Sequence, residues 1–199
     1  MSATSQKYSK PAIILHGLTG LLILIMFAIG WYMAELPKDM PKTATLDLFD
    51  LGVYTMQFAE AITPRTFYFN LHKSIGVTLL LLILARLYVR FAHPVPAFPS
   101  TMKAWEVRVA DLVHKSLYVL MVAVPVAGII MAVNSKYGIK WFGLPLVGGL
   151  DNPDMREAFK EIHEILGAAL ITLIVVHIAA AIKHKIIDKD EVMSRMSLR

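Results

Sequence analysis

The sequence EIHEILGAALITLIVVHIAAAIKH, residues 161–184, decides the fold of this chain. Its charged residues lie near its ends, and the apolar part is about twenty residues long, which is the length that an α-helix needs to cross a bilayer. Comparable apolar runs occur three more times. The predicted membrane spans are residues 12–34, 68–91, 108–134 and 158–184. Because lipid offers backbone groups no hydrogen-bonding partner, these spans are predicted to be helices.

The composition agrees with a membrane protein. Of the 199 residues, 56% are hydrophobic and only 18% are charged, which is too apolar for an ordinary soluble domain or for a disordered chain. We therefore predict an all-α, four-helix transmembrane bundle that forms a single domain over residues 1–199. The chain has no cysteine, which excludes disulfides, thiolate metal sites, cysteine-held iron–sulfur clusters and covalently attached c-type haem.

The charges predict an orientation. If the N-terminus, the 92–107 connection and the C-terminal tail share one side, that side with its flanking turns holds twelve of the 20 Lys and Arg residues but only five of the 15 Asp and Glu residues. Basic residues are retained on the cytoplasmic side of a membrane. Both termini are therefore predicted to be cytoplasmic, and membrane topology is a sufficient explanation for the net charge of +5.

The first outer connection, residues 35–67, is predicted to contain an amphipathic segment. Its apolar residues recur at helical spacing, which favours a helix lying in the outer membrane interface. The alternative is an amphipathic helix that packs on the bundle. The residues that carry this pattern are Leu48, Leu51, Tyr54, Phe58 and Ile62.

Histidines within the spans fall at two depths. His177 follows His163 by fourteen residues, which is about 21 Å along a helix and about 40° short of four full turns, so the two share a face. His163 and His72 lie near the outer ends of their spans, whereas His177 and His16 lie toward the cytoplasmic side. We predict that His72 pairs with His163 outside and that His16 pairs with His177 inside.

Two stacked histidine pairs in a four-helix bundle are typical of two bis-histidine haems. A zinc site needs three or four ligands around one point, and HEILG at residue 163 is not the H-E-x-x-H metalloprotease motif. A haem-free bundle that uses its histidines as a proton relay is the alternative.

A small residue follows each predicted ligand by four positions. Since positions i and i+4 share a helix face, a large side chain there would collide with a macrocycle bound at the histidine. The alternative is that small residues only let helices pack closely. Gly128, on the span without a predicted ligand, is expected to report such packing alone. The four small residues are Gly20, Gly76, Gly167 and Ala181.

Three further polar residues belong to the inner level or its edge. Arg86 lies at the depth of the inner pair, where it is expected to bind a haem propionate or to extend to the headgroups. His114 is expected to hydrogen-bond a propionate or a quinone, with axial ligation as the alternative. His184 is expected at the membrane surface, as an interface residue or a propionate neighbour.

The chain resembles the prokaryotic cytochrome b561 family over residues 8–197. The matching segments are YSKPAIILHGL, NLHKSIG, LARLYVR, HKSLYVLMVAVPVAGIIM, WFGLPL and EIHEILGAALITLIVVHIAAAIKH. The resemblance implies an inner-membrane electron-transport protein with two haem b groups, whose iron ligands are His16, His72, His163 and His177. It also implies reaction with a membrane quinone, and one member type oxidises superoxide at the outer face and reduces ubiquinone.

This resemblance favours an enzyme, a superoxide:ubiquinone oxidoreductase. The alternative is an anchor and relay subunit that links a periplasmic dehydrogenase or hydrogenase to quinone. Lys73 is a candidate to stabilise a semiquinone or attract an anion, and Trp141 to line a quinone pocket or anchor at the interface. Acidic residues outnumber basic ones outside, so anion steering would need a local basic patch. The candidates for that patch are Lys73, Lys136, Lys140 and Arg65.

Overall fold

The computed structural model describes residues 7–198, and it is mostly helical. Four long helices overlap the four predicted spans and are long and apolar enough to cross a membrane. Arg199, one of the basic residues counted on the predicted cytoplasmic side, lies outside the described residues. The helices are α1 (Lys10–Glu35), α2 (Pro64–Ala92), α3 (Ala104–Val133) and α4 (Pro153–Lys183).

Local chemistry sets where the two helices that follow the outer connections begin. α2 starts at Pro64, and the Thr63 hydroxyl accepts a hydrogen bond from the Thr66 backbone N–H at 3.0 Å. α4 starts at Pro153, and the Asn152 side chain accepts from Met155 N–H at 3.2 Å. Proline has no backbone N–H, and at the first helical position this N–H would have no partner within the helix. The capping side chain accepts a hydrogen bond from a second N–H of the first turn that also lacks a partner within the helix.

The bundle is held by apolar side chains between the helices and is apolar outside. α1 packs mainly on α2, α3 packs mainly on α4, and α2 contacts α3. The outward faces carry exposed apolar residues, including Leu21, Leu81 and Ile165, as expected for helices that face lipid. The buried cluster in the middle of the bundle consists of Ile23, Leu79, Ile83, Leu117, Met121 and Leu170.

The helix predicted within residues 35–67 is wrong, because this connection folds as a β-hairpin. Strand β1 (Thr43–Asp47) pairs antiparallel with β2 (Thr55–Ile62), with Leu46 opposite Met56. Asp47 accepts a hydrogen bond from Gly52 N–H at 2.7 Å, and Gly52 has a φ of 67°, which turns the chain back. The hairpin covers the fully buried Tyr68, whose hydroxyl accepts from Phe49 N–H at 2.7 Å.

The connection between α3 and α4 forms a second hairpin, which is docked on α2. Strands β3 (Ile139–Trp141) and β4 (Leu144–Val147) are joined by two residues with positive φ, 46° at Phe142 and 92° at Gly143. Such a turn matches the twist of paired strands. The Ser74 hydroxyl of α2 accepts from Phe142 N–H at 2.9 Å, so the hairpin lies directly beside the outer part of α2.

Candidate metal centres in the bundle

The structure brings together the two histidines that the sequence predicts at the outer level. His72 on α2 and His163 on α4 have ring centroids 6.2 Å apart, with an interplanar angle of 82°. Two imidazoles on opposite sides of one metal have centres about 6 Å apart, since the metal–nitrogen bond is about 2 Å and a ring nitrogen lies about 1 Å from the ring centre. The observed spacing fits this geometry.

The hydrogen bonding of His163 leaves one nitrogen free for a metal. Its Nδ1 lies 2.9 Å from the backbone carbonyl oxygen of Val124 on α3. A carbonyl can only accept, so Nδ1 carries the proton and Nε2 has the free lone pair. His72 differs, because within residues 7–198 its buried Nδ1 has no hydrogen-bond partner. Backbone support of the non-ligating nitrogen is the usual arrangement for a metal-bound histidine.

Two glycines that the sequence did not assign to the site contact the outer imidazoles. A Cβ atom at Gly128 would lie 3.0 Å from Cε1 and 3.1 Å from Nδ1 of His163. A Cβ at Gly30 would lie 3.3 Å from Cε1 of His72. The expectation that Gly128 reports helix packing alone is therefore wrong, because Gly128 lies against the ring of His163, a predicted ligand on α4. Both glycines lie near the outer ends of their helices, a shared depth that is readable from the sequence.

The inner level holds three histidines instead of two. The ring centroids of His16 and His177 are 6.0 Å apart, and those of His114 and His177 are 5.4 Å apart. The first spacing matches two imidazoles across one metal, and the second is shorter than that arrangement needs. His16 is the better-matched partner of His177, but His114 also lies in contact distance of the pair.

Arg86 is the charged residue of the inner level. Its guanidinium donates to His16 Nδ1 at 2.7 Å and to the Thr19 hydroxyl at 2.9 Å, and it lies 5.4 Å from the centre of the Tyr118 ring. No carboxylate among residues 7–198 forms an ion pair with it. Arginine has no acceptor, so His16 Nδ1 accepts and, in the neutral ring, Nε2 holds the proton. His16 can offer Nε2 to a metal only when Arg86 turns away.

The small residues next to the predicted ligands leave room beside them. A Cβ at Gly20 would meet nothing within 4 Å. At Gly76 it would meet only the Met26 methyl, at 3.5 Å, and at Gly167 only the edge of the Phe27 ring, at 4.0 Å. These glycines are therefore not required by close backbone contact between helices. The space is open only beside Gly20, whereas a group larger than a methyl at Gly76 or Gly167 would meet the Met26 methyl or the Phe27 ring.

Side-chain hydrogen bonds of Lys73, on α2, and Trp141, on β3, join the β3–β4 hairpin to α2. Lys73 Nζ donates to the Gly138 carbonyl at 2.9 Å, and the Trp141 indole donates to the Thr78 hydroxyl at 3.0 Å. Lys73 therefore lies beside the hairpin that carries Lys140. Arg65 is committed elsewhere, since its guanidinium donates to carbonyls at the end of α1 and stacks on a phenylalanine ring.

His184 is buried, not at the surface as the sequence suggested. It is only 8% exposed because the chain after α4 folds back on it. A π-helical turn (His184–Asp188) is followed by Lys189 at a φ of 51°, and Asp190 then accepts from His184 Nδ1 at 2.6 Å. The neighbouring Asp188 carboxylate is neutralised by the Lys183 ammonium at 2.6 Å. This cluster anchors the tail through its own ion pairs.

Comparison with known proteins places the chain among membrane cytochromes. A sequence model of the family described as prokaryotic cytochrome b561 matches residues 7–197. Two Escherichia coli (strain K12) proteins, cytochrome b561 homolog 1 and homolog 2, are 27% and 26% identical over 196 residues, covering 97% of this chain and 98% and 92% of theirs. A Yersinia pestis protein named probable superoxide oxidase CybB is 27% identical over 194 residues, 96% of each chain.

Proposed function

The chain belongs to the prokaryotic cytochrome b561 family, and we propose that it is a dihaem superoxide:ubiquinone oxidoreductase of the bacterial inner membrane. Family membership makes it a multi-pass membrane electron-transfer protein of a haem b-binding class. The proposal adds the number of haems, their ligands and the two substrates. His72 and His163 would ligate the outer iron, and His16 and His177 the inner iron.

The proposal rests on two pairs of neighbouring imidazole rings, one pair toward each end of the bundle. Their centroid spacings of 6.2 and 6.0 Å suit one iron between each pair, and His163 and His177 lie about 21 Å apart along α4. When bound, a haem iron supplies one-electron redox chemistry. The chain would contribute the ligating nitrogens, an apolar surrounding and a path across the membrane.

Arg86 is proposed to bind an inner haem propionate. A guanidinium in an apolar bundle favours an anionic partner, and its contacts within residues 7–198 are to neutral groups. Turning to a propionate would release His16 Nδ1, so that the proton can move to Nδ1 and Nε2 becomes available. Binding of the anion and ligation by His16 would then support each other.

The proposed donor is superoxide at the outer face. Two superoxide anions would give two O₂ molecules and two electrons, and these with two protons would reduce one ubiquinone to ubiquinol. The name of the Yersinia pestis relative motivates this choice. Lys73, which lies beside the α3–α4 connection that carries Lys136 and Lys140, would attract the anion. Lys73 and Trp141 are the proposed contacts of the quinone or the anion at this end.

The alternative function is a relay subunit for a periplasmic dehydrogenase or hydrogenase. The tip of the β1–β2 hairpin favours it, because this tip carries exposed apolar side chains. Leu51 is 67% exposed and Val53 is 83% exposed, and exposed apolar patches mark sites of protein or membrane contact. If both termini are cytoplasmic, as the charge distribution predicts, the tip would face the periplasm.

Experiments on the purified chain without any partner protein distinguish these functions. We expect two haem b per chain by pyridine haemochrome, all of it extracted by acid–acetone, since no cysteine can hold it. Superoxide should reduce these haems without a partner, and ubiquinone should reoxidise them. One haem per chain would refute the dihaem assignment. Reduction only by a co-purifying dehydrogenase would establish the relay function instead.

A further inference from the structure

We propose that Gly30 and Gly128 are positioning residues that set the orientation of the two outer imidazoles. The inference rests on the proposed ligation of the outer haem by His72 and His163. Each glycine belongs to a helix that supplies no outer ligand, and each faces the imidazole of a ligand from another helix. The imidazole ring lies where a side chain at the glycine would otherwise lie. The absence of that side chain therefore sets how close the ring can come to the helix.

At Gly128 the glycine also gives access to a hydrogen-bond acceptor. In an α-helix the carbonyl of residue i points toward residue i+4, so the Val124 carbonyl points toward Gly128. His163 Nδ1 reaches that carbonyl at 2.9 Å. A methyl group at position 128 would lie 3.0–3.1 Å from the same edge of the ring. Adding it must turn or displace the imidazole and lengthen the Nδ1–carbonyl hydrogen bond.

At Gly30 the contact is steric only. His72 Nδ1 has no hydrogen-bond partner among the described residues, so packing is what limits rotation of this ring. A Cβ at Gly30 would lie 3.3 Å from Cε1 and 3.7 Å from Nδ1. This clearance is larger than at Gly128 and calls for a smaller shift of the ring. The two positions therefore predict a graded response.

General close packing of helices does not account for these contacts. Apart from chain neighbours, the four other glycines within α1, α2 and α4 have no histidine atom within 4 Å of a built Cβ. The two that touch imidazoles touch the two proposed outer ligands, from two different helices. The inner imidazoles have no such glycine contact, so the orienting effect is confined to the outer level. The four other glycines are Gly17, Gly20, Gly76 and Gly167.

The test compares Gly128→Ala and Gly30→Ala with Gly17→Ala in the full-length haem-loaded protein. The control lies at an exposed position of α1, where an added methyl meets nothing within 4 Å beyond its chain neighbours. The readouts are haem per chain and the low-spin electron paramagnetic resonance signals of the oxidised protein, which report ligand orientation. We expect the outer signal to shift in Gly128→Ala, to shift less in Gly30→Ala and to stay in place in Gly17→Ala.

If Gly128→Ala retains two haems and gives the same signals as the wild-type protein, the inference is overturned. If Gly128→Ala fails to accumulate, Gly30→Ala decides: a shifted outer signal supports the inference and an unchanged signal refutes it. An equal shift of the inner signal would also refute it, since the effect would then be a general distortion of the bundle. Wild-type protein without two low-spin haems would instead refute the proposed function, before any variant is read.

Discussion

The outer and inner histidine levels are built differently although their ring spacings are nearly equal. The outer rings are held by the backbone, through glycine contacts and the Val124 carbonyl. The inner level is held by a long charged side chain, Arg86, and contains a third histidine, His114. A backbone contact fixes one geometry, whereas an arginine can exchange partners. Metal binding at the outer level would therefore need little change around His163, whereas binding through His16 Nε2 would require Arg86 to turn away.

Replacing the proposed ligands should have the largest effect on the two levels. His72→Ala or His163→Ala should remove the outer haem, and His16→Ala or His177→Ala the inner one. Each variant should keep one of two haems, because the levels share no ligand. Haem stoichiometry and the remaining low-spin signal measure this. Loss of both haems from a single variant would contradict independent sites.

Filling the space beside the outer ligands should have the next largest effect. Gly76→Leu and Gly167→Leu should lower haem occupancy at the outer level while the inner haem stays, because a leucine there projects along the ligand's face. Gly17→Leu is the matched control, since it adds the same apolar volume at an open position. Pyridine haemochrome counts measure the loss. Equal loss from all three variants would indicate helix packing as the cause.

Removing the inner charge should weaken only the inner site. Arg86→Gln deletes a charge-assisted contact worth roughly 1.5–3 kcal/mol, so inner haem should leave roughly ten- to a hundredfold faster. Transfer of haem to apomyoglobin, followed by its absorbance, measures the rates. Arg90→Gln, one helical turn further along α2, is the control. Faster loss of outer haem in Arg86→Gln would contradict the assignment of this arginine to the inner level.

Neutralising the outer lysines should change the rate with superoxide modestly. Lys73→Gln or Lys140→Gln should slow haem reduction and flatten its dependence on ionic strength, because exposed charges are screened over about 8 Å at physiological salt. Stopped-flow reduction at several salt concentrations measures both effects. Arg108→Gln, at the other end of the bundle, should match wild type. If it slows the reaction equally, local steering at the hairpin is refuted.

The smallest expected effect is at His114. His114→Ala should leave both haems low-spin, because the His16–His177 spacing fits one iron better than the His114–His177 spacing. The absorbance and resonance spectra of the oxidised variant test this. A high-spin or missing inner haem would mean that His114, not His16, ligates the inner iron. That outcome would also explain why Arg86 occupies His16 Nδ1.

Much of the architecture could be predicted because the length of an apolar run and the charges at its ends can be read from consecutive residues. The runs around residues 12–34 and 158–184 became α1 and α4 within a few residues. The prediction of a helix within residues 35–67 failed because a few apolar residues fit helical and strand spacing about equally well. The turn at Gly52 and the burial of Tyr68 under the hairpin decided for strands, and neither is visible from periodicity.

The four spans, the two depths of histidines and the resemblance to the family could all be read from the sequence, because each depends on composition and on spacing along a single chain. The tertiary structure decided which groups meet across helices. It put Gly128 under the His163 ring, Arg86 on His16 and His114 next to His177. Contacts between helices depend on the rotation and approach of each helix about its axis, which are set by packing of all the helices together.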